Sequence, residues 1–183
     1  MKKTAFESDR IEVKETPEEL EITISGKIPQ NQFVILSVWL LLWTIAGLYV
    51  ITQIFAPQPN EIRIFIFIWL IFWAYFEYKV LTAWLWRKYG REIFRIQKDK
   101  AELRFELGTG GKSNEFNPSE IVKISNLEPQ KGLFIKNYFS SYWVVGGESI
   151  SIEYKSKLYL FGRQISQQDA DFLIRKIKNR LKI

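Results

Sequence analysis

The feature that most constrains the fold is a long stretch of the chain without charge. No charged residue occurs between Lys27 and Glu61. Residues 33–55 within it read FVILSVWLLLWTIAGLYVITQIF. A hydrocarbon core of ~30 Å needs about 20 helical residues, so this stretch predicts a membrane-spanning helix. The alternative is a buried helix of a soluble protein, but such helices are rarely apolar on every face over five turns.

A second apolar stretch follows after a short linker. Residues 62–86 are a weaker candidate for a spanning helix, because Glu77 and Lys79 interrupt them. Two adjacent spans make a simple hairpin, so each candidate supports the other. Residues 56–62 would form the external linker, whose prolines end the first helix.

The basic residues orient this hairpin. Arg63 is the one cation near the linker, whereas the other side carries Lys27 and, after the second span, four more. These four are Arg87, Lys88, Arg91 and Arg95. Basic residues favour the cytoplasmic side, so we expect both termini in the cytoplasm. The first 30 residues lack the apolar region of a cleavable signal peptide, so the first span is expected to direct insertion.

The rest of the chain shows strand patterns and one amphipathic helix. Residues 20–24 alternate between apolar and polar side chains and predict a strand before the hairpin. The strands predicted after the hairpin are 92–97, 101–107, 121–127, 149–154 and 158–162. Residues 108–114, GTGGKSN, are expected to be a flexible loop. Ser166 and Asp169 have the spacing of a capping box for a helix over 167–182.

This pattern predicts an α+β membrane protein. An antiparallel β-barrel or strongly bent sheet of about six or seven strands would be capped by the C-terminal helix, which needs a surface for its apolar stripe. Residues 1–27 would contribute the first strand and residues 87–183 the remainder. The two-helix hairpin would then be an insertion within a single domain.

Three segments carry a resemblance to a known family. They are ITISGKIPQNQFVILSVWLLLWTIAG before and in the first span, YGREIFRIQKDKAELRF after the second, and the closing YLFGRQISQQDADFLIRKIKNRL. The chain resembles the small two-span bacterial membrane proteins whose cytosolic part is a PH-like barrel. It is also similar in outline to the photosystem I assembly proteins. The resemblance implies a PH-like domain, a place in the bacterial inner membrane or a thylakoid membrane, and no assigned activity.

Composition removes several classes of chemistry. The chain has no His and no Cys, which excludes disulfides, a thiolate nucleophile, a Ser-His-Asp triad and the usual zinc or haem ligands. GTGGKS is not a phosphate-binding loop, because Glu106 stands where the motif needs its first glycine. Catalysis would have to rest on Lys, Tyr or carboxylates such as Glu77, and the sequence shows no catalytic constellation of them. We therefore expect no enzymatic activity, cofactor or metal.

The candidate contacts inside the membrane are aromatic and acidic. Trp39 and Trp43 are spaced i, i+4, as are Trp69 and Trp73. Tryptophans close to mid-membrane favour large packing surfaces, either within the hairpin or against another membrane subunit. Glu77 is interpreted as an interfacial residue about one turn inside the membrane, or as a polar contact with a partner span.

The basic residues suggest a membrane surface as a further contact. Residues 84–183 contain 19 Lys and Arg against 11 Asp and Glu. Anionic lipid accounts for this excess more simply than nucleic acid does. The candidate lipid contacts are Arg87, Lys88, Arg91, Arg175 and Lys178. The aromatic residues 133–145 are expected in the barrel core, or else against the bilayer or a partner.

Two functional hypotheses follow. The first is a membrane-anchored interaction module, an accessory subunit or assembly factor. Its partners would be other membrane protein subunits or, as the alternative, further copies of the same chain in a homo-oligomer. The second is a protein that senses anionic lipid or the membrane surface. A nucleic-acid partner is not expected.

Overall fold

The computed structural model describes residues 9–57, 59–108, 110–127, 141 and 143–182. These residues form a mixed α+β fold with two antiparallel sheets, two long apolar helices and a C-terminal helix. The elements are β1 (Ile11–Glu15), β2 (Leu20–Ser25), α1 (Gln30–Gln53), α2 (Asn60–Tyr89), β3 (Gly90–Ile96), β4 (Ala101–Leu107), β5 (Gly110–Phe116), a 3-10 turn (Pro118–Glu120), β6 (Ile121–Asn126), β7 (Glu148–Tyr154), β8 (Lys157–Arg163) and α3 (Gln167–Leu181).

The first sheet holds the helical hairpin formed by α1 and α2. Its strand order is β1-β2-β3-β4-β5, and every neighbouring pair is antiparallel. Strands β2 and β3 pair along their length, from Leu20 opposite Ile96 to Ser25 opposite Arg91. The hairpin therefore leaves the sheet and returns to it at one end of two neighbouring strands.

The second sheet and α3 complete the domain. Its order is β6-β7-β8, and α3 packs against β6 and β7. The rings of Phe94 and Phe161, 5.2 Å apart, join the two sheets in one buried core. The hydroxyl of Ser166 accepts a hydrogen bond from the backbone N–H of Asp169 at 3.1 Å, so α3 begins with the expected cap.

Three expectations about the domain need correction. The strands form two separate sheets rather than a closed barrel. Two strands precede the hairpin instead of one, because the charged segment IEVKE also pairs, as β1. The segment expected to be a glycine-rich loop contains β5, which is paired with β4 along its full length. Most of the aromatic stretch 133–145 lies outside the described residues.

Strand β5 forms through its backbone rather than its side chains. A Cβ atom on Gly111 would lie only 2.6 Å from the carbonyl oxygen of Phe105, so the close approach to β4 requires glycine there. Because this strand buries only Phe116 at its end, it shows no apolar alternation that sequence reasoning could detect.

Helices α1 and α2 are both long and apolar enough to cross a membrane. Helix α1 ends at Gln53, two residues before the expected boundary, and α2 continues to Tyr89, beyond the predicted residue 86. The next residue, Gly90, already belongs to β3. Of the large apolar side chains that are exposed in the described part of the chain, only Leu107, Val122 and Leu158 lie outside residues 34–89.

Candidate functional site

The contact surface between α1 and α2, called here the hairpin seam, combines apolar and polar contacts. Near the sheets, Leu36, Leu40 and Val80 form a small buried cluster. Beside them, the indole N–H of Trp84 donates to the hydroxyl of Ser37 at 2.8 Å. The two helices are therefore joined by a hydrogen bond as well as by apolar packing. Such a bond is important in a site without water, where a polar group has no other partner.

Further from the sheets, the seam is filled by tryptophan. The rings of Trp39 and Trp43 stack at 5.3 Å, and Trp69 lies 6.0 Å from Trp43. The indole N–H of Trp73 donates to the backbone carbonyl of Trp43 at 3.1 Å. A Cβ atom on Gly47 would lie 1.9 Å from the Trp73 ring, so this glycine provides the space for it. The structure thus places Trp43, Trp69 and Trp73 within the hairpin. Trp39 also packs against Trp143, outside the hairpin, with the ring centres 5.1 Å apart.

Glu77 lies in the same seam, opposite α1. Its Oε1 atom is 2.7 Å from the hydroxyl oxygen of Thr44. Thr44 is near the middle of the 24-residue α1, so Glu77 packs against the central part of that helix. Its position relative to a membrane interface stays a prediction. On α2 the distance along the axis from Glu77 to Arg87, ten residues on, is ~15 Å.

At the base of the hairpin, Arg87 is buried against the domain. Only 2% of the residue is exposed. Its guanidinium donates to the side-chain oxygen of Gln164 at 2.6 Å and to the backbone carbonyls of Val144 at 3.2 Å, Ser141 at 3.4 Å and Gly26 at 3.5 Å. The expectation that Arg87 contacts lipid headgroups is therefore wrong, because its side chain is enclosed by protein oxygens.

Close backbone approaches hold the end of α2 on the first sheet. A Cβ atom on Gly26 would lie 2.2 Å from the carbonyl oxygen of Trp86, and one on Gly90 would lie 2.2 Å from the Trp86 ring. The backbone N–H of Gly26 also donates to the carbonyl of Gly90 at 2.8 Å. The chain thus enters and leaves the hairpin through one tightly packed point.

A buried carboxyl group on β3, that of Glu92, faces the point where the chain enters and leaves the hairpin. Glu92 is 1% exposed, and its Oε2 atom accepts backbone hydrogen bonds from Gly162 at 2.7 Å and Arg163 at 3.1 Å. Burial raises the pKa of Glu92 to about 7, although the nearby Arg163 guanidinium and the two N–H donors oppose this shift.

Arg163 and Arg10 complete the base. The Arg163 guanidinium lies between the rings of Trp86 at 4.8 Å and Phe105 at 4.7 Å, and its Nε is 3.2 Å from Glu92 Oε1. Arg10 Nε donates to the carbonyl of Ser25 at 2.8 Å, and its other nitrogens reach the carbonyls at the end of β8. Burial lowers the pKa of the Arg10 guanidinium. We call Arg10, Arg87, Glu92 and Arg163 the base cluster.

The remaining basic candidates fall into two separate groups. Lys88 lies over the rings of Trp84 at 4.7 Å and Tyr89 at 5.1 Å, and the exposed Arg91 follows at the start of β3. Arg175 and Lys178 lie instead on α3, whose C-terminal turn is bonded through Arg180 to the β1–β2 turn at the opposite end of the sheet. The structure does not bring these two groups together.

Sequence reasoning missed most of the base cluster. Glu92 alternates with Phe94 and Ile96 on the buried face of β3, and a charge at such an inward position is a signal that could have been noticed. The partners of Arg10 in β8 are more than 150 residues away, so no local pattern indicates them.

Little in the described residues indicates a reaction. No group of three acidic side chains in this part of the chain could hold a metal ion. A cleft of about 1120 Å³ lies between the turns 16–19 and 97–100 and the end of α3, but basic and acidic residues both line it. A scan of the chain against models of known protein families finds no match, and a search of curated proteins finds none either.

Proposed function

We propose that this protein is a membrane-anchored interaction module, an accessory subunit or assembly factor of a membrane complex. The observation that carries the proposal is the junction at Tyr89 and Gly90, where α2 becomes β3 without a linker. A domain connected in this way has a fixed position relative to the bilayer, which suits the docking of another membrane-bound protein.

The pairing of β2 with β3 supports insertion as a hairpin. The two strands belong to one sheet, so the chain before α1 and the chain after α2 must lie on the same side of any membrane. Exposed apolar side chains concentrated on α1 and α2 are what a lipid environment requires. The excess of basic residues on the sheet side favours the cytoplasm for the domain and both termini.

The proposal includes a PH-like architecture for the domain. Two antiparallel sheets that share one core, followed by a C-terminal helix packed on the second, are in keeping with it. The base cluster then acts as a joint that ties this domain to the hairpin through Arg87 and Arg163. We infer a binding role rather than an enzymatic one.

Co-purification from mild detergent tests the interaction. The tagged full chain is expected to retain at least one membrane protein in stoichiometric amount. An Arg87→Met variant, which loosens the joint, should retain less of it than an Arg91→Met variant, which removes an exposed neighbouring charge. A wild-type chain that is always isolated alone would contradict the proposal.

A second candidate function is the sensing of anionic lipid. Lys88, held between two aromatic rings beside Arg91, lies where α2 leaves the proposed membrane. Phosphatidylglycerol should then raise the unfolding midpoint of the full chain in neutral detergent, and a Lys88→Gln, Arg91→Gln double variant should lose that increase. Equal midpoints with anionic and zwitterionic lipid would reject this function.

A further inference from the structure

A segment of the domain reaches past the base of the hairpin. Trp143, five residues before the start of β7, meets the ring of Trp39 on α1 edge-on, with the ring centres 5.1 Å apart. Its side chain also packs against the buried apolar cluster in the hairpin seam, which consists of Leu36, Leu40 and Val80. The chain before β7 therefore extends from the sheets along the two helices.

The depth of this contact follows from the length of α2. Val80, in the apolar cluster, comes eight residues before Lys88, which is ~12 Å along the helix axis. Lys88 lies where α2 leaves the proposed membrane. Since the headgroup region is about 5–8 Å thick on each side of the hydrocarbon, the cluster lies within the hydrocarbon of the cytoplasmic leaflet. Trp143 packs against this cluster and so reaches the same depth.

The neighbouring surface of α1 is one that lipid would cover. Val38, next to Trp39, is 51% exposed, and Ile35, one turn earlier, is 53% exposed. Trp143 and the following Val144 are themselves only partly buried. Apolar side chains of the domain are thus found beside exposed apolar side chains of the helix, as a lipid-facing surface requires.

The backbone of this segment has protein partners in place of water. The carbonyl of Ser141 accepts from the backbone N–H of Val144 at 3.3 Å, and the Trp143 N–H donates to the Ser141 hydroxyl at 3.4 Å. The side chains of Arg87 and Gln164 both donate to the Ser141 carbonyl, at 3.4 and 3.0 Å. They also donate to that of Val144, at 3.2 and 3.4 Å. Irregular backbone is tolerated at membrane depth only where protein satisfies its polar groups, and these bonds do so.

We propose that the segment around Trp143 is a third membrane contact of the chain, which enters the cytoplasmic leaflet beside α1 and places the indole ring against lipid acyl chains. The inference rests on the proposed membrane insertion of α1 and α2. It gives Arg87 and Gln164 a second role, because they satisfy the carbonyls of an inserted segment as well as joining hairpin and domain. The domain then meets the membrane at a point separate from the junction at Gly90, which fixes its orientation.

Spin labelling of the full chain tests this contact. The chain has no cysteine, so a nitroxide can be attached at one introduced cysteine at a time, in vesicles of phosphatidylethanolamine and phosphatidylglycerol. Trp143→Cys is compared with two variants at exposed positions, Val38→Cys on α1 and Leu158→Cys on β8. Oxygen concentrates in hydrocarbon, whereas a nickel chelate stays in water. The labels at 143 and 38 should collide more often with oxygen than with nickel, and the label at 158 should show the reverse.

The control at position 38 separates the two claims. If the label at 38 is in lipid but the label at 143 is reached by nickel, this inference alone is refuted. A label at 143 that is shielded from both oxygen and nickel also overturns it, because protein rather than lipid would then cover the site. A label at 38 that is reached by nickel refutes the insertion of the hairpin.

A second measurement keeps the native side chain in place. In vesicles with brominated acyl chains, which quench nearby indole rings, the wild-type chain should lose a larger fraction of its tryptophan emission than a Trp143→Phe variant. Phenylalanine preserves an aromatic ring at this position, so the variant is expected to keep the packing against Trp39. Equal fractional losses in the two chains would contradict the placement of Trp143 in lipid.

Discussion

Replacing Arg87 by methionine should weaken the joint between hairpin and domain. Methionine keeps much of the aliphatic stem but removes every donor. Ser141 O and Val144 O also accept hydrogen bonds from the side-chain nitrogen of Gln164, at 3.0 and 3.4 Å, so they keep a donor. Gln164 Oε1 and Gly26 O lose the guanidinium at 2.6 and 3.5 Å. The shorter bond dominates the loss, since a hydrogen bond to a charged group contributes about 1.5–3 kcal/mol.

The expected total for Arg87→Met is therefore about 2–4 kcal/mol, most of it from the lost bond to Gln164. For a chain of this size that corresponds to a fall in the unfolding midpoint of roughly 5–15 °C. This fall in the midpoint can be measured by thermal unfolding of the full chain in detergent, with tryptophan fluorescence as the signal. The Arg91→Met control should change stability by less than about 0.5 kcal/mol, because Arg91 is exposed. Equal midpoints for the two variants would refute the role assigned to Arg87.

Three further predictions concern other parts of the molecule. Gly47→Val should force Trp73 out of the seam and lower hairpin stability by about 1–3 kcal/mol in thermal unfolding, whereas Ala46→Val on the exposed side of α1 should not. Folding raises the pKa of Glu92 from 4.5 to about 7. Its contribution to the free energy of unfolding is therefore fully present below pH 4.5 and is lost as the pH rises through 7. Denaturant unfolding from pH 4 to 8 should show this decline in the wild type and not in a Glu92→Gln variant. Leu173→Ala in the core under α3 should cost about 2–5 kcal/mol by the same denaturant assay, and a cost below ~1 kcal/mol would contradict the packing of α3.

The features of the helical hairpin differ in how well the sequence predicts them. The charge-free stretch after Lys27 locates α1 to within a few residues, because apolar length alone decides it. The spacing of Trp39 and Trp43 indicates a packing surface but leaves its partner open, since the facing residues depend on how the two helices are aligned. Trp73 occupies the space at Gly47, which becomes visible only when the helices are packed.

The base cluster is harder to predict for a physical reason. Arg10 and Arg87 are bound largely by backbone carbonyl groups, and every residue has one, so no residue pattern identifies the acceptors. A basic residue next to an apolar helix then suggests an interfacial lysine or arginine, as it did for Arg87. In this structure the Arg87 side chain is instead buried against a strand end that is distant in the sequence.

The insertion of α1 and α2 as a hairpin is the central claim, and cysteine labelling tests it directly. Because the chain has no cysteine, a single introduced one reports its own position. In intact bacterial cells, a membrane-impermeant maleimide should label Asn60→Cys at the linker end of α2. It should label Glu18→Cys and Gln97→Cys, in turns of the first sheet, only after lysis. Labelling of Gln97→Cys in intact cells, or equal labelling of all three in a chain released by alkaline carbonate, would contradict the account.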